Sequence, residues 1–307
     1  MILRVSRSAL ALNEAVQRFT DRVLRLLPFL IRSSPLKVVA VETTTECTRR
    51  CVYCPPHHSL DIPPLRMDWS VYRRIVGSLA GRGFHGQLWY GLYGESLLDD
   101  RLEELVRHAR TRLPAARLCL FSNGDKLTKQ RYISLRKSGL NAVFLSQHSP
   151  GSDPAAAQAL SAIAGVPDAG FISWTDYHSL FYAQGNRLNI LNNKGGLADV
   201  KRRPLSFCRD VRCTAVDCLG NVLLCNNDCT ASYVFGNVLE RDLCEIWDDP
   251  AFVAVRRQII RGRWPFEICR RCAGGEGATT TPPQGPAARL PRAFHDFEQV
   301  MKSLGRP

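Results

Sequence analysis

Residues 37–54 read KVVAVETTTECTRRCVYC. Val38 to Val41 form an apolar, mostly β-branched run, the composition of a strand buried on both faces of a parallel sheet. The chain then turns polar and presents Cys47, Cys51 and Cys54 on one loop. Three thiolates at C-x3-C-x2-C spacing can hold three irons of a 4Fe–4S cube, soft sulfur on iron, and leave the fourth iron without a protein ligand. Zinc is the competing reading. It needs a fourth donor, which His57 or His58 could supply.

Working outward, strand-like and helix-like segments alternate. Gln87–Tyr93, Arg117–Phe121, Ala142–Ser146, Phe171–Trp174 and Leu188–Leu191 have strand character; Asp99–Arg112, Lys129–Ser138 and Ala155–Ala164 have helical spacing. Such alternation predicts an α/β fold on a parallel sheet, with functional residues on the loops after the strands. Four segments follow. Residues 1–36 are expected to be an N-terminal helical extension, with Val16, Phe19, Val23 and Leu30 on one face. Residues 37–200 form the core, 201–273 a cysteine-rich domain, and 274–307 a Gly/Pro-rich tail.

Composition narrows the classes. Hydrophobic residues at 45% and charged residues at 22% of 307 describe an ordinary globular chain. No run reaches the roughly 20 apolar residues of a membrane span. Twelve cysteines in a long chain without an export signal argue against a disulfide scaffold. Their grouping, three in 47–54, eight in 208–272 and Cys119 alone in a strand, points to metal or cluster ligation, with Cys119 as core packing. The net charge of +13 is spread along the chain, including Arg49-Arg50, Arg256-Arg257 and Arg270-Arg271, and no aromatic-rich RNA-binding motif accompanies it. The expectation is a solvated basic surface, not a nucleic-acid site.

The cysteine loop after the first strand resembles the signature of the radical S-adenosylmethionine (radical SAM) superfamily, with Tyr53 as the aromatic residue before its last cysteine. Tyr93-Gly94-Glu95-Ser96 is similar to the family's G-G-E-P motif, departing at the first Gly and at the Pro. Ser122-Asn123-Gly124 resembles its T-N-G, and Asn193–Gly196 its N-R-G-G. The resemblance implies a partial (β/α)6 barrel. It also implies S-adenosylmethionine bound on the open iron of a cluster held by Cys47, Cys51 and Cys54, beside Tyr53, Gly94, Glu95, Ser122, Asn123 and Ser146. Reductive cleavage would then yield a 5′-deoxyadenosyl radical that abstracts hydrogen from a substrate carbon.

The second cysteine group resembles the SPASM domain, or its shortened form, the twitch domain. That likeness implies one auxiliary 4Fe–4S cluster on Cys208, Cys225, Cys269 and Cys272, with Cys213 as an alternative to Cys208. Cys213, Cys218, Cys229 and Cys244 are then left over, and Cys244 is the candidate hydrogen-atom donor should the reaction be an epimerisation.

Within such enzymes the expectation is dehydrogenation or epimerisation at a hydroxyl-bearing carbon of a sugar or aminocyclitol in natural-product biosynthesis. The alternative is maturation of a ribosomally made peptide by epimerisation or crosslinking. RNA modification and a non-enzymatic electron carrier are the remaining readings. His148, after the fourth strand, is the candidate proton acceptor; Gln147, Asp176 and Tyr177 are further candidate substrate contacts. An external one-electron donor, flavodoxin or ferredoxin, and a cytoplasmic setting suited to oxygen-labile clusters complete the expectation.

Overall fold

The computed structural model describes residues 2–4, 35–54, 56, 62–149, 154–164, 166, 170–176, 205, 208 and 210–273. The strands there are β1 (Ile2–Arg4), β2 (Val38–Val41), β3 (Gln87–Tyr90), β4 (Arg117–Ser122), β5 (Ala142–Gln147), β6 (Phe171–Asp176), β7 (Cys213–Val216), β8 (Asn221–Leu223) and β9 (Val234–Asn237). The helices are α1 (Trp69–Gly81), α2 (Leu102–Arg112), α3 (Lys129–Lys137), α4 (Pro154–Ala164), α5 (Leu243–Asp248), α6 (Pro250–Ile260) and α7 (Glu267–Cys272).

All nine strands share one sheet, ordered β1-β6-β5-β4-β3-β2-β7-β8-β9. From β2 to β6 each strand lies parallel to the next in sequence, with an α-helix in each connection. Right-handed crossovers in constant order return every helix to the same face, and α1, α2, α3 and α4 touch in succession. A one-sided helix layer on a twisted sheet makes an open, partial barrel, as expected. Val39, Val41, Leu88, Tyr90, Leu118 and Leu120 face the helices in the main core. The alternate positions Ala40 and Trp89 belong to a second cluster on the opposite, concave face.

Helix α1, absent from the sequence-based expectation, has clear local causes. Asp68 caps it by accepting from the Ser70 N–H at 2.7 Å, and Val71, Tyr72, Ile75, Val76 and Leu79 recur at helical spacing and are buried. Inside that core the Tyr72 hydroxyl donates to the Leu105 carbonyl at 2.8 Å and so accepts from Tyr90, also at 2.8 Å. No buried hydroxyl in this trio is left unpaired. Cys119 is buried in β4, as expected of a packing residue.

Two expectations change. Residues 2–4 do not begin a helical extension: they form β1, parallel to β6 with Ile2 opposite Ile172. The helical pattern from Val16 to Leu30, the strand at 188–191, the Asn193–Gly196 stretch and the 274–307 tail lie outside the described residues. The cysteine-rich segment extends the same sheet. Its first strand, β7, pairs in parallel with β2, Val38 opposite Cys213, and β8 and β9 follow antiparallel. Helix α5 then packs on α1, where the Ser78 hydroxyl donates to Asp242 Oδ1 at 2.7 Å and Arg82 pairs with Asp248. Arg256, read as part of the solvated basic surface, is buried in this layer. Its guanidinium stacks 3.7 Å over Trp247 and donates to the Trp247 carbonyl, and burial lowers its pKa to about 9.

Candidate active site

The cysteine loop leaves the C-terminal end of β2 and is fastened to the neighbouring strand ends. Thr48 Oγ1 donates to Asp125 Oδ2 at 2.5 Å, and the Arg49 guanidinium grips both oxygens of the same carboxylate, Nη2 to Oδ1 at 2.5 Å and Nε to Oδ2 at 3.0 Å. Arg49 Nη1 also reaches Ser149 Oγ at 3.3 Å, beyond β5. Asn123 Nδ2 donates to Thr48 Oγ1 at 3.0 Å and lies 3.8 Å from Cys47 Sγ. Its Oδ1 accepts from the Asp125 N–H, which sets the turn after β4.

The loop after β3 closes on the cysteine loop from the other side. The Glu95 N–H donates to the Glu46 carbonyl at 2.7 Å. A Cβ added at Gly94 would stand 1.8 Å from the Thr44 carbonyl oxygen, so only glycine permits this approach. The Glu95 carboxylate is buried and points into the protein, Oε1 accepting from the Leu97 N–H and Oε2 from the Asn123 N–H. Burial raises its pKa, against the pull of those two amides. Glu95 thus braces the ends of β3 and β4. Ser122 is buried with Oγ accepting from the Gly124 N–H, and Ser146 is half-buried near the end of β5.

Tyr53 and His148 meet. The Tyr53 hydroxyl and His148 Nδ1 are 2.7 Å apart, joining the cysteine motif to the loop after β5. On the concave face an aromatic ladder crosses three strands: Trp89 lies 4.8 Å from Phe121, which stacks 4.6 Å from Phe144 at 7°. The ladder, the Arg49–Asp125 pair and the Tyr93 contact described below were all missed in the sequence. An aromatic in each of three neighbouring strand segments, Trp89, Phe121 and Phe144, and an acid just after the S-N-G turn were the signals present. Asp176 ends β6; its side chain, Tyr177, His57 and His58 lie outside the described residues.

The cysteines of the second group separate into two sets. Cys208 interacts electrostatically with Cys269 and Cys272, and Cys225 with Cys208 and Cys269. Cys213 interacts with Asp210 instead and is buried in β7. Cys218 donates to the Glu42 carbonyl and, with Cys229, lines a cavity between the end of β2 and the loop after β8, beside Tyr93 and Asp217. Cys244 is not brought to the site. It is buried against Ser78 near the C-terminal end of α1, the helix end that leads into the start of β3 and not to the strand ends that carry the cysteine loop. A hydrogen-donor role for Cys244 therefore has no geometric support.

Both groups suit iron–sulfur clusters in their donor chemistry. Among the described residues no three His, Cys, Asp or Glu side chains surround a point closely enough for a single metal ion. The fit rests on thiols outside any disulfide and on amides that donate to them. The Arg49 N–H donates to Cys47 Sγ and the Asn227 N–H to Cys225 Sγ, each at 3.4 Å, bonds of the kind that tune cluster sulfurs. Burial lifts the thiols of Cys47, Cys208 and Cys225, and pushes Cys51 up to about 11 and Cys269 to about 12. Such thiols become thiolates only with strong cationic compensation, which ligated iron supplies.

Comparison with known proteins agrees with this chemistry. The family model of the radical SAM superfamily matches residues 41–166, and that of the SPASM iron–sulfur cluster-binding domain matches residues 208–273. An S-adenosyl-L-methionine-dependent 2-deoxy-scyllo-inosamine dehydrogenase of Niallia circulans is 29% identical over 240 residues, 76% of this chain and 92% of that enzyme. A GTP 3′,8-cyclase of Synechococcus sp. (strain WH7803) is 35% identical over 121 residues, 36% of this chain and 33% of its own length. The crystal structure of BtrN in complex with AdoMet and 2-DOIA superposes with a TM-score of 0.68 at 26% identity, covering 80% of this chain and 96% of that one.

Proposed function

We propose, from the premise that this chain belongs to the radical SAM superfamily and carries a SPASM domain, that it dehydrogenates a secondary alcohol of an aminocyclitol resembling 2-deoxy-scyllo-inosamine. The observation that carries this reading is the likeness to the Niallia circulans dehydrogenase over 92% of that enzyme. Cys47, Cys51 and Cys54 would hold the catalytic cluster, and Cys208, Cys225, Cys269 and Cys272 the auxiliary one. When bound, the first cluster with S-adenosylmethionine supplies a hydrogen-abstracting radical, and the second supplies an acceptor for one electron.

The chain's own residues do the rest. Asp125, Thr48 and Arg49 hold the cysteine loop in one position, and Gly94 lets the loop after β3 come up to its backbone. Ser122 and Asn123 shape the turn after β4, and half-buried Ser146 offers a polar group for S-adenosylmethionine beside the aromatic floor of Trp89, Phe121 and Phe144. In the tautomer whose Nδ1–H donates to the Tyr53 oxygen, Nε2 of His148 is left as an acceptor and takes the hydroxyl proton. One hydrogen atom, one proton and one electron leave the alcohol, and a ketone remains.

Epimerisation would need a hydrogen-atom donor at the substrate, and Cys244 is placed away from the strand ends. An external one-electron donor and a cytoplasmic setting belong to the same proposal; among the described residues no helix is long and apolar enough to cross a membrane. Turnover in deuterated water tests the reaction type. Formation of a ketone supports dehydrogenation; an epimer carrying one deuterium at the reacting carbon, with no ketone, overturns it.

A further inference from the structure

Where the family motif has its first glycine, this chain has Tyr93, and that side chain spans two sites. Its hydroxyl donates to the Asn226 carbonyl at 2.5 Å, 133 positions away and directly after Cys225. The next two residues press on the cysteine loop: Gly94 against the Thr44 carbonyl, and the Glu95 N–H on the Glu46 carbonyl, directly before Cys47. Cys54 of one group and Cys225 and Cys229 of the other all act on the Tyr93 phenol, whose pKa burial raises well above the usual tyrosine value.

The loop that Tyr93 grips is rigid in itself. Asp228 is fully buried and accepts from the Ser232 and Tyr233 amides at 2.9 and 2.8 Å, and Ala231 sits at φ 50°, a conformation that L-residues seldom hold without such support. The loop's base is closed by the Leu224 N–H donating to the Tyr233 carbonyl at 3.0 Å, and Asn227 Nδ2 donates to Asp210 Oδ2 at 3.3 Å; Tyr93 adds the bond that reaches it from the loop after β3.

We infer that Tyr93 is a positioning residue that ties the auxiliary cysteine loop, residues 225–233, to the catalytic cysteine loop through its hydroxyl bond to Asn226. The inference that this sets the auxiliary cluster in place rests on the proposed function; the tie itself does not. Tyr93→Phe keeps the ring and removes only the bond. Hydrogen exchange on the reconstituted protein should show amides of 226–233 exchanging about 5-fold faster in the variant, the weight of one ordinary hydrogen bond, with those of 117–122 unchanged. The auxiliary cluster's electron paramagnetic resonance signal and midpoint potential should shift as well, which a merely structural role distant from the cluster would not cause. Exchange in 226–233 identical to the wild type overturns the tie. A wild-type protein that binds only one cluster overturns the two-cluster reading, while the exchange result still decides on Tyr93. Should Tyr93→Phe fold poorly, replacement of Tyr93 by p-aminophenylalanine, which keeps the ring and places an N–H donor where the hydroxyl was, should restore slow exchange; failure to do so also counts against the tie.

Discussion

Arg49 and Asp125, 76 positions apart, form a two-pronged ion pair that holds the cysteine loop to the end of β4. Their side chains are 13% and 20% exposed, so the pair is shielded from most solvent screening. Arg49 lies between two cysteines of the motif, and its position fixes where their sulfurs stand.

Asp125→Ala should therefore release the catalytic loop and leave the auxiliary one alone. We expect a stability loss of about 2 kcal/mol, as for a well-shielded bidentate pair, and a fall in bound iron from about eight to about four per chain. Thermal melting and an iron assay on anaerobically reconstituted protein check both; full iron retention would contradict the fastening role.

Gly94→Ala places a methyl group 1.8 Å from the Thr44 carbonyl oxygen, a clash with backbone that cannot be relieved by a rotamer change. It should cost about 2–3 kcal/mol or more and abolish formation of 5′-deoxyadenosine. Gly77→Ala is the matched control: nothing lies within 4 Å of the added methyl in helix α1. It should stabilise by up to about 1 kcal/mol and leave the reaction intact.

Much of this site could be read in advance, for reasons that differ by residue. The β2 strand and its cysteine loop were legible because both signals are local, a β-branched run and a fixed spacing. Helix α1 carried equally local signals, Asp68 before Val71, Tyr72, Ile75 and Val76, and could have been found. The pairing of β7 with β2 could not, because register between segments 175 positions apart, Val38 and Cys213, is set by the fold and not by either segment. Asp125 and Tyr93 read as an ordinary charge and an ordinary aromatic until the turns that aim them are in place.

The choice between Cys208 and Cys213 is open to a direct test. Cys208 is coupled to Cys269 and Cys272, whereas Cys213 is a buried strand residue. Cys208→Ala should lose the auxiliary cluster, about four irons. Cys213→Ala should keep it, at the cost of a small packing defect. The opposite pattern by iron assay would reassign the ligand.

Asp228 predicts a pH dependence. Burial raises its carboxyl from 3.8 to about 6 despite two amide bonds. The native state thus binds the proton more tightly than the unfolded chain. The stabilisation is full below about pH 4 and is lost as pH rises through about 6, by at most about 3 kcal/mol. Denaturant midpoints between pH 5 and 7.5 should fall with rising pH from this term, and Asp228→Asn should remove that part of the slope. An unchanged slope would refute it.

In the proposed reaction this chain uses S-adenosylmethionine to take a hydrogen atom from a hydroxyl-bearing carbon. The most direct measurement is mass spectrometry of the 5′-deoxyadenosine formed when the reduced, reconstituted protein meets S-adenosylmethionine and 2-deoxy-scyllo-inosamine deuterated at its carbinol carbons. The account predicts one deuterium in each 5′-deoxyadenosine and one ketone formed with it. Undeuterated 5′-deoxyadenosine, or none at all from protein carrying its full iron, would contradict it.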